Sequence, residues 1–389
     1  MILIVSPSAH YPSHNWPNTV ALAHALMRKG RPVKIVIFNS TADVIPADLQ
    51  DKVTVAHQRL PAAWRRYSTG AWQHRRLAGL IKVYETLACI FRAWRLSRRQ
   101  PDAVLHVIGD SHWTVVVATF LFRRHLVYTL FGGILSGRAT GAKKMRWKFL
   151  ALLLRRAAAT GRLDFACENE LIRDEAAVHV GRHIRLIPYA INDDEELVPQ
   201  AEARKRLGLP LTEKIVLFFG THRREKDYLT PLKGLATLPS PPLALFAGKV
   251  ISENDPNLVI AKCHYPNAKV VNEFVPEDMT KFYFAAADAL VLPYDIGLAR
   301  GSGVLIECCR YLRPVIVSQA PFFVTFLSRY PCGVAYVHHE SASFAEAAQR
   351  LLANTSVFQA ALERARRDHS WSSAADKYLD LYGKGGAVT

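Results

Sequence analysis

Short apolar runs alternate with helix-like segments along most of the chain. In the first half these runs lie at residues 1–9, 31–39, 103–109, 125–131, 163–169 and 183–191. The same alternation begins again in the second half, with runs at 214–220, 242–248, 268–274, 289–294, 313–318 and 333–337. Strands that alternate with helices favour a parallel sheet, and continuous apolar runs are typical of strands buried on both faces. We therefore predict an α/β fold with two doubly wound sheets.

An acidic segment separates the two halves of this pattern. Residues 192–210 are predicted to form a linker and an entry helix, and a chain of 389 residues is long enough for two cores. We predict a Rossmann-like domain over 1–190, a second one over 191–370, and a C-terminal helix or tail over 371–389. Two such domains would face each other across a cleft, because ligands bind outside the carboxyl ends of parallel strands.

The charge of the chain is concentrated in its first half. Residues 1–190 hold 28 Lys and Arg against 11 Asp and Glu, whereas residues 191–389 hold 22 basic and 22 acidic residues. The whole excess of +17 therefore lies in one predicted domain. Such asymmetry indicates an anionic partner for that domain alone, either a membrane surface or a nucleic acid.

Two basic segments carry much of this charge. Residues 71–99 interleave Arg with apolar residues at helical spacing: Leu77, Ile81, Tyr84, Ala88, Phe91 and Trp94. Residues 143–157 repeat the pattern, with Trp147 and several leucines between basic ends. A solvated basic face above an ordinary core would explain either helix alone, but not the concentration of charge in one domain. Basic helices with an aromatic and aliphatic face are typical binders of anionic lipid, so we expect peripheral association with the inner face of the cell membrane.

No targeting or membrane-spanning segment is predicted. The opening residues MILIVSPSA have no basic region before the apolar run and break at Ser6-Pro7, which indicates a first strand rather than a signal peptide. The apolar run at 113–122 is too short to span a bilayer. The six scattered cysteines show no metal-type pairing and fit a reducing compartment, so we expect a cytoplasmic protein.

A glycine turn opens the apolar segment ARGSGVLIECCRYLRPVIVS at 299–318. Gly301, Ser302 and Gly303 precede a predicted helix, and the N–H groups and dipole of a helix N-terminus favour a phosphate. Glu307 lies one turn further on, where its carboxylate could accept hydrogen bonds from ribose hydroxyls. The predicted donor-binding set also includes the residues on either side of the turn, Arg300 and Val304.

A basic loop follows the first strand of the second half. In FFGTHRREK, residues 218–226, the loop brings Arg223, Arg224 and Lys226 to the carboxyl edge of the predicted sheet. A solvated loop would have the same charge. Together with the glycine turn, however, the loop predicts a site for a nucleotide diphosphate.

These motifs resemble those of GT-B glycosyltransferases of the family-4-like kind, the glycosyl transferases group 1 of bacterial polysaccharide and glycolipid synthesis. The resemblance covers nearly the whole chain and is strongest from about 183 to 380. In that family a Gly is followed six residues later by a diphosphate-binding Lys, and Gly220 and Lys226 match this spacing. The basic residue that usually follows the Gly directly is Thr221 here, which leaves Arg223 or Arg224 for its role.

One position departs from the family pattern. The late family motif contains two glutamates eight positions apart; Glu307 matches the second, which holds the ribose, whereas the first falls at Ala299. That first glutamate normally lies near the donor sugar and the scissile bond, and Arg300 brings positive charge here instead. The resemblance therefore implies an intact nucleotide half of the site and an altered sugar half.

The loop at 8–18 follows the first strand, where the resemblance places a loop facing the donor diphosphate and the acceptor. His10 and His14 are candidates to contact the substrate, and His14 is also a candidate base. Neither histidine need have a catalytic role, because a loop histidine is often only solvated.

The strand at 103–109 is followed by Asp110, Ser111 and His112. The Asp110 carboxylate is a candidate general base toward an acceptor hydroxyl, and an N-cap of the next helix is the alternative. His112 is a further acceptor-site candidate. Glu168 and Glu170 follow a later strand, again with N-capping as the alternative.

We therefore predict a glycosyltransferase of the hexosyltransferase type that moves a sugar from a nucleoside diphosphate donor to a hydroxyl of a lipid-linked or polysaccharide-precursor acceptor. Lys226 would neutralise the leaving diphosphate, and no metal or other cofactor is expected because no Asp-x-Asp motif is present. The resemblance implies retention of configuration, whereas a true base at Asp110 or His14 would permit inversion.

Other classes of protein fit the sequence less well. A nucleic-acid-binding protein would suit the pI near 9.7, but no helix-turn-helix, zinc or RNP-like signature is present, so no nucleic acid is expected as partner. Residues 137–145 lack the spacing of a Walker loop, and no G-x-G-x-x-G follows the first strand. A nucleotide-sugar epimerase on the same fold and a non-enzymatic basic membrane- or nucleic-acid-binding protein remain the alternatives.

Overall fold

The computed structural model describes residues 1–7, 15–38, 45–56, 75–100, 102–108, 112–122, 124–130, 141–181, 184–193, 195–297 and 301–383. The chain forms two compact units. The first comprises the described residues up to Ala190 together with those from Trp371 onward, and the second spans Ile191–Ser370. No helix in these ranges is both long enough and apolar enough to cross a membrane.

The first unit contains a parallel sheet with the order β3-β2-β1-β4-β5-β6-β7. Its described strands are β1 (Ile2–Ser6), β2 (Val33–Ile37), β3 (Val53–Val55), β4 (Val104–Ile108), β5 (Leu126–Leu130), β6 (Leu163–Cys167) and β7 (Arg185–Leu186). Its described helices are α1 (Asn15–Arg28), α2 (Arg75–Ser97), α3 (His112–Phe122), α4 (Gly141–Ala159), α5 (Glu170–Val180) and, from the end of the chain, α14 (Trp371–Gly383).

Both faces of this first sheet are buried, as the continuous apolar runs predict. Along β1, Leu3 and Val5 belong to one hydrophobic cluster, whereas Ile2 and Ile4 belong to another. This alternation follows from the two-residue period of a strand, which sends successive side chains to opposite faces. One cluster is covered by α2, α3 and α4, and the other by α1 and α14.

The C-terminal helix α14 completes the core of the first unit. Trp371, Tyr378 and Tyr382 are buried in the same cluster as Ile4 of β1. The Tyr382 hydroxyl lies 2.8 Å from Nδ1 of the buried His106, and Nε2 of His106 lies 2.7 Å from the Thr129 hydroxyl. Burial lowers the pKa of His106 to about 3, so the ring is neutral. The sequence predicts a C-terminal helix or tail over 371–389. The structure shows that helix α14 of this segment belongs to the first unit.

The second unit, Ile191–Ser370, contains a parallel sheet with the order β10-β9-β8-β11-β12-β13. Its strands are β8 (Ile215–Phe219), β9 (Leu243–Ala247), β10 (Ala268–Val271), β11 (Ala289–Leu292), β12 (Val315–Ser318) and β13 (Gly333–Tyr336). Its helices are α6 (Gln200–Leu207), α7 (Leu229–Ala236), α8 (Pro256–Cys263), α9 (Glu277–Ala286), α10 (Gly303–Arg310), α11 (Pro321–Arg329), α12 (Ser341–Ala353) and α13 (Gln359–Asp368).

The strand order of the second unit creates a switch point between β8 and β11. The chain proceeds outward from β8 to β10 and then returns to place β11 on the other side of β8. At such a point the loops that follow the two central strands diverge and leave a crevice at the carboxyl edge. Here these loops carry the basic segment after β8 and the glycine turn that precedes α10.

The structure confirms the predicted α/β pattern with two doubly wound sheets. Each of the apolar runs identified in the sequence contains or overlaps a described strand or bridge. The short strand β3 was not predicted, because VTV within a polar stretch gives too brief an apolar signal. Its three residues pair in parallel with β2 at the edge of the first sheet.

Candidate functional site

Gly220 ends β8 at the switch point and has a left-handed backbone with φ of +83°. Its N–H donates to the Ala247 carbonyl at 2.9 Å. The neighbouring Gly248 approaches so closely that a Cβ built on it would lie 2.2 Å from the Gly220 carbonyl oxygen. The two glycines therefore permit a close crossing of the loops after β8 and β9 that side chains would prevent.

The loop after β8 is tied to the loop after β11 around Lys226. Its backbone N–H donates to the Arg223 carbonyl at 3.1 Å, and Lys226 forms an antiparallel bridge with Tyr294. The next N–H, of Asp227, donates to the Pro293 carbonyl at 2.7 Å. These bonds fix the backbone from which the lysine side chain extends into the switch point.

The Lys226 side chain is a buried cation without a carboxylate partner in the described part of the chain. The residue is 6% exposed, and its Nζ donates to the Phe219 carbonyl at 2.8 Å. Nζ also lies 5.5 Å from the centre of the Tyr294 ring. Burial, followed by the charge of Arg223, lowers the pKa of Lys226 to about 7. An anion bound beside Nζ of Lys226 would favour the charged ammonium and offset the free energy that burial of this charge costs.

Helix α10 begins beside this lysine. Ser302 is the N-cap, and its hydroxyl accepts from the Leu305 N–H at 3.4 Å. The first turn contains no acidic residue, and a Cβ built on Gly303 would meet nothing within 4 Å. The first N–H groups of a helix have no intrahelical acceptor, so this open approach suits an anion.

The structure brings the glycine of β8, the lysine and the helix start together. A Cβ built on Gly220 would lie 3.6 Å from Cγ2 of Val304 and 3.9 Å from Nζ of Lys226. Tyr294 joins them as a residue that the sequence did not single out. Burial raises the pKa of Tyr294, and a hydrogen bond with Ser302 opposes this. The signal for Tyr294 was its position at the end of the apolar run 289–294.

The two arginines of the basic loop differ in their surroundings. Nε of Arg223 donates to the Thr221 hydroxyl at 2.9 Å, and its charge lowers the pKa values of both Lys226 and Tyr294. The Arg224 side chain is 85% exposed and lies 3.6 Å from the Glu253 carboxylate. Of the two candidates, Arg223 therefore acts electrostatically on the buried lysine.

Glu307 lies within a cluster of ionic side chains in the second unit. Arg310 donates through Nη1 to both Glu307 oxygens, at 3.4 and 3.2 Å, and through Nη2 to Glu195 at 2.6 Å. Burial raises the pKa of Glu307, Arg310 opposes this shift, and Glu195 adds to it. A ribose bound by Glu307 would thus share the carboxylate with Arg310.

Several predicted residues lie outside the described part of the chain: His10, His14, Asp110, Ala299 and Arg300. His112 is described at the start of α3, where Nδ1 lies 2.8 Å from the Tyr128 hydroxyl. Its ring also packs edge-on against Trp147, at a centroid distance of 5.7 Å. The His112 imidazole is thus engaged by neighbours within the first unit.

Glu168 follows β6 and does not cap the next helix. The N-cap of α5 is Asn169, whose Oδ1 accepts from the Ile172 N–H at 2.9 Å. Glu168 instead borders a small cavity that is also lined by Thr129 and Tyr378. Burial raises the pKa of Glu168 to about 8.

Comparison with solved structures establishes the fold. A glycosyltransferase from Rickettsia africae superposes with a TM-score of 0.72 and 14% identity, and covers 100% of this chain and 99% of its own. Sucrose-phosphate synthase from Thermosynechococcus elongatus gives 0.68 and 17%, over 100% and 99% of the two chains. HepE of Anabaena in complex with UDP gives 0.68 and 15%, over 98% and 99%. The predicted GT-B fold is confirmed.

Comparison with known sequences covers less than half of the chain. Over 171 residues the chain is 29% identical to TuaC of Bacillus subtilis, named as a glycosyltransferase of teichuronic acid biosynthesis. The match spans 42% of this chain and 40% of the length of TuaC. Residues 199–369, which contain Lys226 and the start of α10, match the family described as glycosyl transferases group 1. Residues 199–369 are therefore similar to the glycosyl transferases group 1 family.

Proposed function

We propose that the protein transfers a sugar from a nucleoside diphosphate donor to an acceptor hydroxyl. One observation carries this proposal: the buried ammonium of Lys226, which has no carboxylate partner among the described residues, lies beside the open N-terminus of α10. Both groups favour an anion, and they meet at the switch point where ligands of doubly wound sheets bind. The family that residues 199–369 match supports the same chemistry.

In this reaction the bond between the sugar C1 and the diphosphate oxygen breaks, and C1 forms a bond to the acceptor oxygen. Negative charge develops on the departing diphosphate, and the acceptor hydroxyl gives its proton to the departing diphosphate oxygen. Lys226 and the first N–H groups of α10 would stabilise the charge on the diphosphate, because fixed donors in a water-poor site act strongly on developing charge. Arg223 would add a second positive charge, and Glu307 would accept from the ribose hydroxyls.

Uridine is the nucleoside that we propose for the donor. The support comes from the structural neighbour HepE of Anabaena, which is described in complexes with UDP, with UDP and glucose, and with UDP-glucose. The loops of β8 and β11 in this chain offer a cationic site of the kind that a diphosphate requires. We propose retention of configuration, as the family resemblance implies, and assign no catalytic role to a metal or other cofactor.

The donor assignment can be tested with a thermal-shift screen of UDP-, GDP- and ADP-sugars. A ligand that binds only the folded state raises the melting temperature in proportion to the logarithm of its concentration over Kd. We expect UDP-sugars to give the largest shift and Lys226→Ala to abolish it. An equal shift in the parent and in Lys226→Ala would contradict the diphosphate assignment.

We further propose that the first unit binds an anionic membrane surface, where it meets a lipid-linked or polysaccharide-precursor acceptor. Helices α2, α3 and α4 pack side by side, and each exposes large apolar side chains: Phe91 on α2, Trp113, Phe120 and Leu121 on α3, and Met145, Phe149 and Leu152 on α4. Leu121 is 66% exposed and Met145 is 72% exposed. We call the whole set the apolar layer; it consists of Phe91, Trp113, Phe120, Leu121, Met145, Phe149 and Leu152.

Aromatic contacts connect the members of the apolar layer. The rings of Trp113 and Phe149 lie 6.1 Å apart, which links α3 to α4. Trp94 stacks on Phe122 at 5.3 Å and contacts Phe91 at 5.6 Å, which links α2 to α3. A contiguous apolar surface of this kind is rare on a protein that remains free in water and is typical of interaction sites.

Positive charge on the same helices favours a lipid surface as the occupant. Exposed basic residues accompany the apolar layer: Arg92 and Arg95 on α2, Arg98 and Arg99 directly after α2, and Arg146, Lys148, Arg155 and Arg156 on α4. Insertion of the apolar side chains between headgroups and attraction of the cations to anionic lipid would act together. Such binding would bring the first unit close to a lipid-linked acceptor held in the membrane.

The membrane proposal can be tested by sedimentation with vesicles of phosphatidylcholine, with and without phosphatidylglycerol. We expect binding only with the anionic lipid, and release at high salt because exposed charges are then screened. Leu121→Ser combined with Met145→Ser should reduce binding. The matched control is Phe274→Ser, which changes a 77% exposed side chain in the second unit and should leave binding unchanged. Binding that ignores lipid charge and these substitutions would contradict the proposal.

A further inference from the structure

Three side chains with metal-binding chemistry converge next to the loop that carries Lys226. Asp227, His338 and His339 each offer one ligand atom, and these atoms all lie within 4.8 Å of one another. Asp227 comes from the loop after β8, whereas the two histidines follow β13. The cluster therefore joins segments more than a hundred residues apart in the chain, all within the second unit.

The Asp227 carboxylate is held in a fixed orientation. Oδ1 accepts from the N–H groups of Leu229 and Thr230 at 3.0 and 3.2 Å, so the residue caps the start of α7. Oδ2 accepts from the Thr230 hydroxyl and lies 3.1 Å from Nδ1 of His339. One oxygen is thus used by the helix, and the other faces an imidazole nitrogen.

The two histidines supply the remaining ligand atoms. Nδ1 of His338 is buried and has no hydrogen-bond partner among the described residues. A buried polar nitrogen without a partner is costly, so a ligand bound to this nitrogen would offset that cost. The His338 and His339 rings lie 3.8 Å apart, and His339 has a left-handed backbone with φ of 64°. This uncommon conformation for a non-glycine residue accompanies the close approach of the two rings.

We propose that Asp227, His338 and His339 bind a divalent transition metal ion of the zinc type. Imidazole nitrogen and carboxylate oxygen are the ligands of such ions, with bonds of about 2.0–2.2 Å. Tetrahedral ligands at this distance lie about 3.3 Å from each other, close to the separation of the Asp227 and His339 atoms. Three protein ligands leave a fourth position for water. Binding would satisfy the His338 nitrogen and offset the positive charge of the ion with the carboxylate.

The proposed ion would stabilise the loop that positions the buried lysine. Asp227 directly follows Lys226, and its N–H is bonded to the loop after β11. An ion that links Asp227 to the end of β13 would hold this backbone from a third side. This structural role goes beyond the proposed transferase function, because it requires neither a nucleotide nor an acceptor.

The test uses the full chain after removal of metal with a chelator. Zn²⁺ is titrated by calorimetry, and Co²⁺ is followed by visible absorption, since tetrahedral Co²⁺ with nitrogen and oxygen ligands absorbs strongly. We expect one high-affinity site whose occupation raises the melting temperature. His338→Ala and His339→Ala should each weaken binding by roughly tenfold or more and remove the thermal shift. Without metal, both variants should have the same melting temperature as the parent. This result separates a loss of metal binding from a loss of folding.

The matched control is His264→Asn, which removes an exposed histidine from the same unit at a left-handed position that Asn tolerates. This variant should bind Zn²⁺ as the parent does. Failure of the parent to bind Zn²⁺ at this stoichiometry would overturn the proposal. Equal Zn²⁺ affinity in the parent and in His338→Ala would overturn it as well. Binding of UDP to Lys226 is measured separately, and its failure would leave the metal result unaffected.

Discussion

The two units share one architecture but place their positive charge differently. In the second unit, which is electrically neutral overall, one buried lysine and one helix start form a small site at the switch point. In the first unit, which carries the whole excess of +17, exposed cations on helices accompany the apolar layer. A few desolvated groups suit a compact diphosphate, whereas many exposed charges suit an extended anionic surface.

Reversal of surface charge in the first unit should have the largest effect. In Arg92→Glu, Arg95→Glu, Arg146→Glu and Lys148→Glu combined, we expect partitioning onto anionic vesicles to fall by roughly a thousandfold or more, because each of the four basic residues contributes about 1 kcal/mol near such a surface. The control Arg350→Glu places the same change on α12 of the second unit. Undiminished binding of the quadruple variant to the vesicles would show that these basic residues of the first unit do not bind anionic lipid.

The buried lysine predicts a pH dependence that exposed cations do not share. The pKa of Lys226 is lowered to about 7, and the charged ammonium is the form that binds a diphosphate. UDP affinity should therefore fall by up to about tenfold per unit as pH rises above 7. In Lys226→Arg the cation stays protonated and this dependence should disappear. Calorimetry between pH 6.5 and 8.5 checks both variants, and identical pH profiles would contradict the assignment.

The cavity beside Glu168 predicts an effect on stability in the first unit. The pKa of Glu168 in the folded state is about 8, above the ordinary value of 4.5, so the carboxyl group loses its proton at lower pH in the unfolded state. The contribution to stability is therefore intact below pH 4.5 and is lost as pH rises through 8. Glu168→Gln should melt several degrees above the parent at pH 8.5 and close to it at pH 4.5. Equal melting temperatures of the parent and Glu168→Gln at both pH values would rule out this ionisation.

The smallest predicted effect concerns the helix start at the donor site. Ser302→Ala removes the N-cap of α10 and should lower the free energy of unfolding by about 1 kcal/mol. UDP affinity should fall only a few-fold, since the backbone N–H groups remain. Ser302→Asp should recover the stability, because Asp also caps, but should weaken UDP binding by repulsion. Equal UDP affinity in both variants would place the diphosphate away from this turn.

The sequence predicted the fold and the meeting of Gly220, Lys226 and the start of α10, because these rest on local patterns. Apolar runs of strand length and the spacing of Gly220 and Lys226 can be identified without tertiary contacts. The burial of Lys226, its contact with Tyr294 and the difference between Arg223 and Arg224 depend on how two loops cross, which no local pattern specifies. The place of α14 in the first core and the meeting of Asp227 with His338 join residues more than a hundred positions apart.

The central claim, that Lys226 binds the donor diphosphate, is tested most directly by UDP calorimetry at pH 6.5. Lys226→Ala is compared with Lys233→Ala, which removes an exposed lysine from α7 of the same unit. The account predicts that Lys226→Ala binds UDP at least about tenfold more weakly than the parent, a loss of ~1.4 kcal/mol or more, and that Lys233→Ala binds normally. Equal UDP affinity in the parent and in Lys226→Ala would contradict it.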